Sequence, residues 1–234
     1  MTHKAAIVMG VGPGLGSALV RRAADEGLMV VASARSVSKL VNLKSGAFTD
    51  RIHLHDCDAT SPEDVTALFK AADKIGQVDL VVFNAGAFAR GTVMETDPAD
   101  FERCWRVGCF AGFLVGREAA HRMSSAGRGT IIFTGATASL RGGAGFANLA
   151  SPKFALRALA QSMARELGPQ GVHVAHSIID GQIRSGKYQA MLEERGPDSL
   201  LEPDAIADAY MALYRQSRSA WTFELDLRPW VEKF

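Results

Sequence analysis

Short apolar runs alternate with helix-length amphipathic segments along the whole of this 234-residue chain, and that alternation leaves few folds open. "AAIVM" from Ala5 precedes a helical stretch at 15–26, "LMVVAS" a short one near 36–44, "RIHLH" one at 62–75, and "VDLVVF" a long one within 98–125. "GTIIFT" leads to a helix near 151–167, "VHVAHSII" to a helical pair within 185–217, and "WTFEL" closes the series. Runs that are apolar at successive positions bury both faces, as strands do in a parallel sheet whose crossover helices cover both sides. The pattern predicts an α/β fold: a single doubly wound domain over 1–234, with a seven-stranded parallel sheet and helices on both faces. No repeat, low-complexity tract or linker interrupts it.

Charges that balance to +1 advertise no polyanion, so no nucleic acid partner is expected. No apolar run approaches the roughly 18 residues of a membrane span, and a strand begins almost at the first residue, so the expectation is no membrane and a cytoplasmic location. Cys57, Cys104 and Cys109 are an odd set without a CxxC pair and read as reduced thiols. "HLHDC" sets His53, His55 and Cys57 on one strand face, a zinc-like spacing, but no fourth ligand can be named and no metal is expected.

Chemistry first surfaces where the first strand ends. "MGVGPGLGSALV" places Gly10, Gly14 and Gly16 between a strand and a helix, where bare backbone and helix-start amides attract pyrophosphate. Ligands of doubly wound sheets sit at the carboxyl ends of strands, and "ASAR", "CDAT" and "FNAG" fall at three successive ones. This series resembles the short-chain dehydrogenase/reductase family, a Rossmann-like fold whose pattern is TGxxxGxG, an aspartate after the third strand, NAG, Ser, YxxxK and PGxxxT. The resemblance spans essentially the whole chain.

By that resemblance Gly10, Gly14, Leu15 and Gly16 line the pyrophosphate turn, Asp58 meets the adenine amino group, and Asn84, Ala85 and Gly86 flank the adenosine ribose. Met9 stands where the family has threonine. At the end of the second strand an acidic residue would hold the ribose of NAD(H); Ala34 and Arg35 stand there instead, which favours NADP(H) over NAD(H). "DGQIRS" keeps Gly181 and Ser185 in register with PGxxxT, with Asp180 in place of proline. Lys153 matches the family lysine, which holds the nicotinamide ribose and tunes the catalytic tyrosine.

The other catalytic positions depart from the pattern. The tyrosine maps to Leu149, the serine to Ala136 and the helix asparagine to Gly108, none of which carries a side-chain hydrogen-bonding group. Pro152, beside the lysine, suits a first helical turn, with Ser151 as N-cap. Ser139, Ser151, His176 and Tyr188 are the nearest substitutes, Tyr188 the best placed, in a segment resembling the family's substrate lid. The expectation is an NADP(H)-binding protein lacking standard carbonyl/alcohol chemistry. The alternatives are an active oxidoreductase with another proton donor and an interaction protein with an empty cofactor pocket. The small-molecule substrate is not legible. The apolar long helices, with Phe110 and Phe113, and the tail "FELDLRPWVEKF" resemble family interfaces and imply a homodimer or homotetramer.

Overall fold

A computed structural model describes residues 3–44 and 49–233; Phe234 of the tail lies outside them. Seven strands form one parallel sheet in the order β3-β2-β1-β4-β5-β6-β7. They are β1 Lys4–Met9, β2 Met29–Ala34, β3 Ile52–Asp56, β4 Gln77–Phe83, β5 Gly129–Thr134, β6 Val172–Ile179 and β7 Glu224–Leu227. The order reverses beside β1, so the β1/β4 junction is the switch point where a crevice opens.

Two cores fill the two faces. Helices α1 (Leu15–Asp25) and α7 (Pro203–Tyr214) cover one, burying Leu19, Ala23, Tyr210 and Met211 against Val8 and Val30. Helices α2 (Pro62–Asp73), α4 (Ala111–Ala126) and α5 (Ala147–Leu167) cover the other, burying Phe69, Met123 and Leu156 against Phe83 and Phe133. Local signals explain several ends. Ser61 caps α2 by accepting from the Asp64 amide, with Pro62 at the first position, and α4 stops at Gly127 in the left-handed conformation.

Four local readings need correction. The stretch near 36–44 is a 3₁₀ segment, Val37–Lys44, rather than an α-helix. The long helix within 98–125 is α3 (Pro98–Trp105) joined to α4 through a π turn, Arg106–Phe110, that contains Gly108. β7 begins at Glu224, three residues after Trp221, because Trp221 stacks on His173 at 5.0 Å and Thr222 is held by Gln216.

The fourth concerns Pro152. α5 starts at Ala147, so Ser151 is not its cap and Pro152 lies inside the helix. Amides of Leu149 and Ala150 donate to Phe146 O at 2.9 and 2.8 Å, closing the first turn, and Asn148 Nδ2 anchors it to Ala89 O at 2.8 Å. An internal proline removes one helical bond and crowds the preceding turn, a cost of about 3 kcal/mol in an ordinary helix. Here its ring fills the space over Gly108, where an added Cβ would stand 2.8 Å from Pro152 Cβ.

Candidate functional site

The turn after β1 is gripped from both neighbours. Gly10 and Val11 amides donate to Ser33 O of β2 at 2.9 and 3.0 Å, and Asn84 at the end of β4 returns Nδ2 to Gly10 O at 3.2 Å. Gly10 has φ +83°, and a Cβ there would lie 2.6 Å from Ala85 N; one on Gly16 would lie 2.6 Å from Val11 Cα. Gly12, Gly14 and Gly86 differ, since nothing stands within 4 Å of an added Cβ. α1 begins at Leu15 with Gly14 as N-cap and no side-chain cap. An uncapped helix start beneath open space fits a pyrophosphate.

Arg35, Asp58, Asn84, Ala85 and Gly86 line one cavity of about 600 Å³ with Gly10. Gly12, Arg103 and Val107 also line it and were not singled out by motif. Asp58 Oδ1 accepts from Thr60 N and Oγ1 at 2.9 and 2.8 Å. Those bonds, with the charges of Arg35 and Arg106, hold its carboxyl below the usual range. Arg35 is exposed and has no carboxylate within ion-pair distance among the described residues. An unpaired guanidinium beside this cleft offers a planar fork to a phosphate.

Two further cavities, of about 420 and 520 Å³, share Ala136 and Gly181. Gly14, Leu15 and Tyr188 line the smaller, Leu149, Thr137 and Asp180 the larger. Lys153, one turn after Leu149, is buried and donates Nζ to Thr134 O at 2.5 Å; burial lowers its pKa to about 8. The structure gathers Ala136 and Leu149, both apolar, on one cavity.

Of the four substitutes, Tyr188 alone lines either of these cavities. His176 is fully buried; its Nδ1 meets Glu224 Oε2 at 3.1 Å, and Arg157 grips that carboxylate with two bonds of 2.6 and 2.8 Å. Burial, outweighing Glu224, lowers the His176 pKa to about 4, so the ring is neutral near pH 7. Ser139 is buried and accepts from Ala136 N at 3.1 Å, and Ser151 is exposed on α5. Sequence reasoning missed the Thr137 hydroxyl, which donates to buried Asp180 at 2.5 Å, and Arg141 and Arg195 on the same cavity. Asp180 in the proline position was visible, but its partner is 43 residues away.

Among the described residues no group of three or more His, Cys, Asp or Glu could hold a metal ion, and no helix is long and apolar enough to cross a membrane. A family model described as short chain dehydrogenase matches residues 4–194. A short-chain dehydrogenase from Rhodopseudomonas palustris is 41% identical, superposes with a TM-score of 0.83, and covers 97% of this chain and 99% of its own. A metagenomic short-chain oxidoreductase in complex with NADP is 27% identical with a TM-score of 0.80, covering 97% of each chain. The (21S)-21-acetoxyl-apo-melianone synthase of Melia azedarach is 31% identical over 90% of this chain and 82% of its own length.

Proposed function

The chain belongs to the short-chain dehydrogenase/reductase family, and we propose that it is an NADP(H)-binding member without the family's tyrosine-based carbonyl chemistry. The observation that carries this reading is the contrast between an open, uncapped phosphate turn and the apolar side chains of Ala136 and Leu149. Gly10, Gly12, Gly14, Leu15 and Gly16 would hold the pyrophosphate, Asp58 and Asn84 to Gly86 the adenosine, and Arg35 the 2′-phosphate. Lys153 and Gly181 would face the nicotinamide half. The cofactor, when bound, supplies hydride. A proton must come from the protein or water, and neither Leu149 nor Ala136 carries one.

NADPH at about 100 times its Kd adds about 2.7 kcal/mol of stability through linkage, so it raises Tm by several degrees, and NADH at equal concentration does far less. Equal shifts overturn the cofactor choice, and no shift from either supports an interaction protein with an empty pocket. Wild type should reduce a panel of ketones, aldehydes and quinones no faster than Lys153→Ala. Robust turnover that depends on Tyr188 favours the second reading, an active oxidoreductase with another proton donor, which rests on Tyr188 lining the cavity beside Ala136.

A homodimer or homotetramer belongs to the same proposal. Phe101, Trp105, Phe113 and Phe154 are each about two-fifths exposed along α3, α4 and α5, and exposed aromatic side chains on successive helices suit an interface. Light scattering reads the assembly directly. Phe113→Glu should split it, and a monomeric wild type at micromolar concentration sinks this part.

A further inference from the structure

The end of the sheet opposite the cleft carries its own cavity, of about 720 Å³, at the amino ends of β1, β4 and β5. Lys4, Arg128, Arg215 and Arg218 line it, with Tyr214 and Trp221 as aromatic walls. β1 has six residues at about 3.3 Å each, so this cavity lies about 20 Å from the glycine turn.

Two carboxylates answer these four cations. Asp79 is nearly fully buried and saturated: Lys4 lies 3.1 Å away, Arg128 2.8 Å, and Tyr214 donates its hydroxyl at 2.6 Å. Glu26 pairs with Arg215. Arg218 donates to a carbonyl, Gly127 O, at 2.5 Å, and has no carboxylate partner among the described residues. The whole chain is only +1, so this groove concentrates positive charge that the rest of the surface cancels. The saturated anion lies beneath a rim of half-exposed Lys4, Arg128 and Arg215, each already paired with a carboxylate, so among the described residues Arg218 is the cation of the groove left without one.

The rim is also preset. Gln216 bonds Thr222 through both ends of its amide, at 2.8 and 2.7 Å, and Trp221 lies flat on His173 with 3° between the rings. Arg218 is drawn over Gly171, where an added Cβ would meet its Nη2 at 3.1 Å. A ligand entering here finds cations and rings already ordered, so little conformational freedom is lost on binding.

We propose that this groove binds a ring-bearing organic phosphate, the chemistry of a nucleotide, at a site separate from the cofactor cleft. Guanidinium forks take the phosphate, and Trp221 and Tyr214 flank the ring.

Calorimetric titration with ADP at low salt tests it, with inorganic pyrophosphate as the ringless arm and two variants to locate the heat. ADP should bind, pyrophosphate at least about fivefold more weakly for want of ring contacts. Arg218→Glu should weaken ADP by about tenfold or more, as loss and reversal of a charge-assisted contact requires. Gly12→Ala, which puts a methyl into the pyrophosphate space of the cleft, removes ADP binding there and should leave binding in this groove intact. Should Arg218→Glu lower Tm, Arg215→Ser reads the same groove. Absence of heat with ADP, heat that Arg218→Glu leaves unchanged, or equal affinity for pyrophosphate would each overturn the proposal. NADPH linkage plays no part in these readouts, so the cofactor reading stands or falls separately.

Discussion

Gly10→Ala is expected to cost about 3 kcal/mol of folding stability, a large share of the 5–15 kcal/mol typical of a domain. Two effects add. Alanine at φ +83° sits in the left-handed region, about 1–2 kcal/mol uphill, and its Cβ would lie 2.6–2.8 Å from backbone atoms of Asn84 and Ala85. Backbone at the end of a central strand cannot rotate aside, so β4 must shift relative to β1. Gly12→Ala is the informative contrast, because its φ is not positive and its Cβ meets nothing within 4 Å. That variant should keep its urea midpoint while losing NADPH affinity, since the new methyl occupies the space assigned to pyrophosphate. A Gly10→Ala protein as stable as wild type would contradict the geometry of the turn.

Gly108→Asn, the step that would return the family's asparagine, should destabilise by about 1–3 kcal/mol through overpacking against Pro152. The contact is with a rigid ring, at 2.8 Å to Cβ and 3.4 Å to Cγ, in a helix that already carries an internal proline. Pro152→Ala keeps the Cβ but removes Cγ and restores an amide to α5, allowing the helix to draw back. A double-mutant cycle should therefore show about 0.5–3 kcal/mol of coupling, the double variant losing less than the sum. Additive losses would show that Pro152 is not the obstacle. On the proposed reading carbonyl chemistry returns in the same order: Leu149→Tyr with Ala136→Ser first, then Gly108→Asn only with Pro152→Ala, and each added group should raise reduction rates rather than NADPH affinity.

The sheet was readable because its strands are apolar on both faces, a signal written in consecutive residues. Helix starts and edge strands were less so. The N-cap of α5 is Phe146, which offers no capping side chain, so the proline preference for first turns pointed to a cap five residues too late. The π turn is set by a contact between positions 108 and 152, and periodicity along one helix carries no trace of it. The glycine turn was legible as a motif, and Arg35 and Asp58 fall on one cavity as their strand ends imply. Thr137 with Asp180, and Lys4 with Arg218, became neighbours only through topology.

The last strand has a consequence for how the larger cavity keeps its shape. Asp180 donates its amide to nothing nearer in sequence than Leu227 O, at 2.8 Å, Arg228 lies 3.6 Å from the Asp180 carboxylate, and Pro229 occupies the space beside Gly181. Residues 227–229 thus act as a keystone wedged behind the cavity wall. Whatever pulls on the chain's end, whether a fused tag, a trimmed terminus or a second copy clasping the β7 edge, also leans on the wall that a substrate would touch.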